Sequence, residues 1–212
     1  MDLDSAIKNR RSIRRYNDKD ITISDIYKII EAATWAPTAC DSQDFLFIIL
    51  DRSKIDIILS RGGASFLKKV NKAVLVLYSN RTENLEYMDY VQSGAAAIQN
   101  LLLKAYSIGL GACWICNLPP KKYLRKILNI PRFYDPIALI SIGYYDKEPK
   151  KKAREKPLED LISFNNFNFQ VNKDKVFIKI LFKRIIRKLY FQFSYIRFLN
   201  KFAKKYEKKF TD

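Results

Sequence analysis

The sequence predicts a mixed α/β domain, a sheet flanked by helices, followed by a basic amphipathic helical extension. Three observations lead there. Short unbroken apolar runs alternate with stretches of helical periodicity across the first three quarters of the chain. Every glycine, proline and cysteine lies at or before Pro157, and none follows it. With 48% apolar residues among 212, one sizeable core can be buried and general disorder is excluded. The expected division is a folded domain over residues 1–167 and a tail over 168–212.

The elements follow in order. Asp4 can cap a short helix over Ser5 to Arg10, and Ser24 a second whose apolar face is Ile26, Ile29, Ile30 and Ala33. Phe45 to Leu50 and Ala73 to Tyr78 have the continuous apolarity of buried strands. Ser53 and Ser65 look like further helix starts. The longest helix is expected from about Met88 to Ser107, with Val91, Ala95, Ile98, Leu102 and Ala105 on one side. The run Ala95-Ala96-Ala97 keeps it slim enough for another helix to approach, and Gly109 ends it. Ala112 to Ile115 and Ile137 to Tyr144 are two more strands, separated by a helix from near Pro120. Trp35 and Trp114 read as core residues. Periodicity does not give the strand order.

Composition removes several function classes. The chain has no histidine, which excludes His-based triads, His-ligated zinc and imidazole general bases. Three cysteines argue against a disulfide framework and for a reducing compartment, so a cytoplasmic location is expected. The first ten residues contain two acids and no apolar run, unlike a signal peptide, and no run of eighteen uncharged apolar residues exists. The net charge of +17 calls for an anionic partner.

Four segments contain candidate chemistry. Arg10-Arg11-Ser12-Ile13-Arg14 brings three guanidiniums and a hydroxyl together, enough to grip one phosphate. Ala36-Pro37-Thr38-Ala39-Cys40-Asp41-Ser42-Gln43-Asp44-Phe45 is a small-residue loop entering a strand, where a flat ligand can lie against the backbone. Gly109-Leu110-Gly111 leads into Ala112 and on to Cys116-Asn117. Arg154-Glu155-Lys156-Pro157-Leu158-Glu159 follows the last strand.

In this order, and with Ala97-Ile98-Gln99-Asn100-Leu101-Leu102-Leu103 on the long helix, the segments resemble the nitroreductase family of FMN-dependent oxidoreductases over residues 2 to 167. That resemblance implies a nitroreductase-like fold and a homodimer with two FMN sites at the subunit interface. It implies that Arg10, Arg11 and Ser12 hold the FMN phosphate, completed by Arg154 and Lys156. Arg14 would stand near the pyrimidine edge of the flavin, and the backbone of Cys116 and Asn117 near its N5. Pro37, Thr38, Ala39, Asp41 and Gln43 would approach from the other subunit. The implied reaction is ping-pong hydride transfer from NAD(P)H, by way of flavin N5, to a nitroaromatic, a quinone or a similar electron-poor acceptor. Catalysis then needs no catalytic side chain and no metal. The alternatives are a flavin-dependent biosynthetic oxidation or dehalogenation in the same fold, or a non-catalytic protein that binds a membrane surface or nucleic acid.

Two features depart from the family pattern. Asp41 stands where Asn is usual and Asp44 where Pro is usual, and an ionised carboxylate only accepts hydrogen bonds. Cys113 and Cys116 form C-x-x-C, but three residues apart on a strand they point to opposite faces. One buried thiol and one beside the flavin is the expectation. From Val171 onward there are 13 Lys/Arg against 3 Asp/Glu. Ile178, Leu181, Phe182, Ile185, Ile186, Leu189 and Phe193 fall within one helical arc, and a second stripe from Tyr195 to Tyr206 is out of phase with it. The tail over 175–210 thus reads as two basic amphipathic helices, broken near Gln192 to Ser194. Packing on the dimer and seating on an anionic membrane surface are its leading readings, with nucleic acid third for want of a reading motif.

Overall fold

The computed structural model describes residues 1–149, 153–169 and 175–192. Four strands make one sheet: β1 (Phe45–Leu50), β2 (Lys72–Ser79), β3 (Gly111–Ile115) and β4 (Tyr134–Gly143). Their order is β1-β2-β4-β3, with every neighbouring pair antiparallel. The parallel component is a single bridge from Ser12 to Ala112, which lays the N-terminal segment along the β3 edge. Six helices are described: α1 (Leu3–Asn9), α2 (Ile23–Thr34), α3 (Arg52–Leu59), α4 (Asp89–Ser107), α5 (Lys121–Leu128) and α6 (Lys175–Gln192). The expected α/β class stands.

The core has two halves because β2 and β4 alternate their side chains between both faces. Val74, Val76, Ala138, Ile140 and Ile142 pack beneath α2 and α4, against Ile26, Ile29, Ile98 and Leu101. Leu75, Leu77, Leu139 and Ile115 pack on the opposite face with Ile55 and Ile58 of α3 and Leu124 of α5. Helices therefore cover both faces, and the sheet's two outer edges, β1 and β3, are left for other contacts.

Several local expectations are corrected. The helix caps lie two residues before the ones expected. Asp2, not Asp4, accepts the Ser5 N–H at 2.8 Å. Thr22, not Ser24, accepts the Asp25 N–H at 3.1 Å, and Asp51, not Ser53, accepts the Lys54 N–H at 3.0 Å. Ser65 opens only a short 3-10 turn, Ser65–Lys69. Of the face expected on α4, Ile98, Leu102 and Ala105 are buried and Val91 and Ala95 half-buried, and Ser93, Gly94, Ala97 and Leu101 widen the buried face on one side. β1 is an edge strand in which only Leu50 is fully buried, since it has a neighbour on one side alone. Trp35, expected in the core, is 82% exposed at the C-terminal end of α2. In the tail, α6 is described as far as Gln192, and the expected break and second helix lie outside the described residues.

Candidate functional site

The site begins where α1 stops. The chain leaves the helix at Arg10 in an extended conformation, and the Ile13 N–H donates to the Ala112 carbonyl at 3.0 Å. This crossing depends on two glycines paired across β3 and β4, Gly111 and Gly143. A Cβ on Gly111 would lie 2.9 Å from Ile13 Cβ, and one on Gly143 would lie 2.9 Å from Tyr16 Cδ1. Tyr16 locks the far end: its hydroxyl donates to the Ile13 carbonyl at 2.7 Å and lies 2.8 Å from Ser141 Oγ. With Ile13 turned into the protein, Ser12 and Arg14 lie on the side of Cys113.

Cations predominate on this edge, with the Glu148 carboxylate bordering the same hollow as Arg10 and Arg11. Burial, and next the Arg11 guanidinium, push Arg10 below its ordinary value, with a further push from Arg154. Arg154, from beyond the last strand, has therefore come back to the start of the chain. Arg11 satisfies part of its guanidinium on the Lys8 and Arg10 carbonyls at 2.8 and 2.9 Å. Among the described residues, no carboxylate forms an ion pair with Arg10, Arg11, Arg14 or Arg154. Lys156 is exposed nearby in sequence. Half-buried Arg10, Arg11 and Arg14, joined by exposed Arg154 and unpaired with any carboxylate among the described residues, form an anion-receptive cradle, with the Ser12 hydroxyl as a further donor. Burial pushes the Cys113 thiol up, against the opposing pull of Arg14, Ser12 and Arg10. It is 2% exposed, whereas Cys116 is exposed.

β3 runs from that cradle to Cys116 and Asn117. Beyond the strand end, Cys116, Leu118, Pro119, Pro120, Pro136 and Ile137 border an open cavity. Arg187 of α6 borders it too, and its Nη2 donates to the Cys116 carbonyl at 3.1 Å. Sequence patterning gave no sign of that contact.

The small-residue loop lies elsewhere. It feeds β1, at the opposite edge of the sheet, three strand spacings or about 14 Å from β3. Cys40, Asp41 and Gln43 all have φ near +50°, unusual for non-glycine residues. A dense local network holds them there. The Ala39 N–H donates to Ser93 Oγ at 3.0 Å, the Gln43 N–H donates to Thr38 Oγ1 at 3.2 Å, and Ser42 Oγ lies 2.7 Å from the Tyr78 hydroxyl. Asp41 is exposed, and the Gln43 side-chain amide donates to it at 2.7 Å. Pro37 is exposed beside them. Thus the structure gathers Arg10, Arg11, Ser12, Arg14, Cys116, Asn117 and Arg154 along one edge, and Pro37, Thr38, Ala39, Asp41 and Gln43 along the other. Within one protomer the two groups do not meet.

Fold and edge together define an α/β protein with an anion-receptive cradle beside an antiparallel sheet. The nitroreductase family model matches residues 7–88 and 58–144. A protein of Methanothermobacter thermautotrophicus, provisionally named NADH dehydrogenase/NAD(P)H nitroreductase, is 33% identical over 154 residues, covering 70% of this chain and 80% of its own. The FMN reductase (NADPH) of Bacillus subtilis is 25% identical over 189 residues, covering 80% of this chain and 75% of its own. Among solved structures, an FMN-dependent nitroreductase from Clostridium difficile superposes with a TM-score of 0.67 at 30% identity, over 78% of this chain and 100% of that one. The chain belongs to the nitroreductase family.

Proposed function

We propose that the protein is an FMN-dependent NAD(P)H oxidoreductase. In this reading it acts as a homodimer and reduces an electron-poor acceptor of the nitroaromatic or quinone kind. The observation that supports it most is the cradle: guanidiniums from both ends of the domain converge with no ion-paired carboxylate among the described residues, as a terminal phosphate requires. The relatives' names supply the cofactor and the reductant, FMN and NADPH or NADH.

Arg10, Arg11 and Ser12 bind the phosphate, joined by Arg154 and Lys156. Arg14 stands further along β3 beside the pyrimidine edge, where a cation favours the electron-rich reduced ring. The backbone at Cys116 and Asn117 would line the reactive edge of the ring. FMN held there would supply the chemistry itself, hydride acceptance and donation at its ring. The protein's share is orientation, electrostatics and one open ring face. Nicotinamide and acceptor use that face in turn, so turnover is ping-pong. Pro37, Thr38, Ala39, Asp41 and Gln43 reach the ring from the second subunit, which their place on the opposite sheet edge supports. The Gln43–Asp41 bond holds the carboxylate within its own loop, so its charge need not face the ring. The three reduced thiols fit a cytoplasmic setting.

The test is spectroscopic. The purified protein should be yellow, release FMN on denaturation, and bleach on adding NADH or NADPH without oxygen. Arg10→Ala should weaken FMN binding about 10- to 100-fold in a fluorescence titration, the usual cost of a lost charge-assisted bond. Unchanged affinity would remove Arg10 from the phosphate site, and flavin that neither nicotinamide reduces would end the reductase reading.

A further inference from the structure

α6 touches its own domain through a polar side and turns its apolar side away. Arg187 faces inward to the Cys116 carbonyl. At about 100° per residue, Leu181, Phe182, Ile185 and Leu189 lie roughly 120–220° around the helix from Arg187. Every residue from Ile180 to Leu189 is exposed, the stripe among them: 47% for Leu181, 64% for Phe182, 50% for Ile185 and 48% for Leu189. The stripe is thus not core-facing in its own chain. Lys183, Arg184 and Lys188 are exposed on the same helix, and α6 contains six Lys/Arg and no acid over Lys175–Gln192.

We infer that α6 is an interfacial helix that seats the protein on an anionic lipid bilayer. A contiguous apolar stripe flanked by basic side chains is what such a helix needs: acyl chains bury the stripe while lipid headgroups neutralise the rim. Charge selects lipid over a second copy of this chain. Pairing with the same helix of a second copy would set six Lys/Arg with no acid against six more. The helix lies on the bilayer and does not cross it, since six charges fall within its 18 residues. Among the described residues, no helix is long and apolar enough to span. Because Arg187 and the stripe occupy opposite sides, the cavity beside Cys116 then sits about one helix diameter, ~10 Å, from the lipid surface.

The full chain, loaded with FMN, is floated with vesicles of phosphatidylcholine containing about 30% phosphatidylglycerol, an anionic fraction large enough for a strong surface potential, and with phosphatidylcholine vesicles alone. Flotation with the anionic vesicles only, weakened by salt, is the expected result. The variant Phe182→Ser/Ile185→Ser should lower lipid partitioning about tenfold or more, with flavin content and thermal midpoint unchanged, because it removes stripe area alone. Arg187→Gln should still float. A full chain that stays in the dense fraction, or floats equally with neutral vesicles, overturns the inference, as does undiminished flotation of the double variant. If sedimentation shows the double variant dropping from dimer to monomer, a second copy covers the stripe and the inference also fails. Flavin content and bleaching by nicotinamide are read on the same samples, so failure of the oxidoreductase reading registers separately.

Discussion

Asp135 and Arg10 are charged groups under opposite demands. Asp135 is 7% exposed and is met by the Lys121 ammonium, the Arg125 guanidinium and the Asn80 side-chain amide. Burial alone would push its carboxyl up, but Lys121, Asn80 and Arg125 together hold it below the usual carboxylate range. A depressed carboxyl contributes stability above its unfolded pKa and loses that contribution as pH falls through the folded value. Asp135→Asn should therefore cost about 2–4 kcal/mol near neutrality, because it leaves two cations facing a neutral amide. The gap between variant and wild type should close as pH drops below about 4, near the unfolded carboxyl value. Urea unfolding at a series of pH values measures this, and a pH-independent gap would mean that packing, not charge, explains the loss. Arg10 has no ion-paired carboxylate among the described residues, so folding gains little from its charge while a bound dianion gains much.

At the scale of elements, the N-terminal crossing shows why a glycine can matter more than the side chains around it. Gly111→Ala would put a methyl 2.7 Å from Tyr145 Cδ1 and 2.9 Å from Ile13 Cβ. Overpacking of this kind costs about 1–3 kcal/mol. The segment must also lift off β3, taking Ser12 and Arg14 with it, so FMN affinity should fall together with the thermal midpoint. Gly109→Ala meets no atom within 4 Å and is strained only by its φ of +78°, so it should cost stability without loss of FMN. Equal FMN loss in both variants would contradict the crossing's role. The sequence announced both glycines but not this difference. Apolar runs located β1 and β2, because a strand buried against helices needs few polar residues. They misjudged β1's burial, since one neighbour or two depends on strand order, a non-local property. The caps were missed by two residues for a local reason. Where two capable acceptors stand near a helix start, as with Asp2 and Asp4 or Thr22 and Ser24, the earlier one closes the first turn and adds hydrogen bonds to the helix. Asp4 is then free to pair with Lys8 at 2.7 Å.

For the whole molecule, sheet order decides how many chains a site needs. Arg10 to Arg14 were legible as a cluster from their spacing, whereas Arg154 and the loop were tied to them only by the family resemblance; the structure sets Arg154 beside Arg10, and the order β1-β2-β4-β3 puts the Thr38–Gln43 loop at the far edge. If FMN contacts both edges, each site must be built from two chains. The exposed apolar side chain Leu46 on β1, at 48%, fits a covered surface at that edge. Subunit mixing gives this a sharp form. A variant damaged only at the cradle, Arg10→Ala/Arg11→Ala, and one damaged only at the loop, Thr38→Ala/Gln43→Ala, should each bind FMN poorly alone. Unfolded together and refolded at equal amounts, about half the dimers would be mixed, and in each mixed dimer one site collects both defects while the other is intact. Tight FMN binding should then return to about a quarter of all sites, read by flavin titration. Sites built within single chains would recover nothing on mixing, because every chain would still bear one defect.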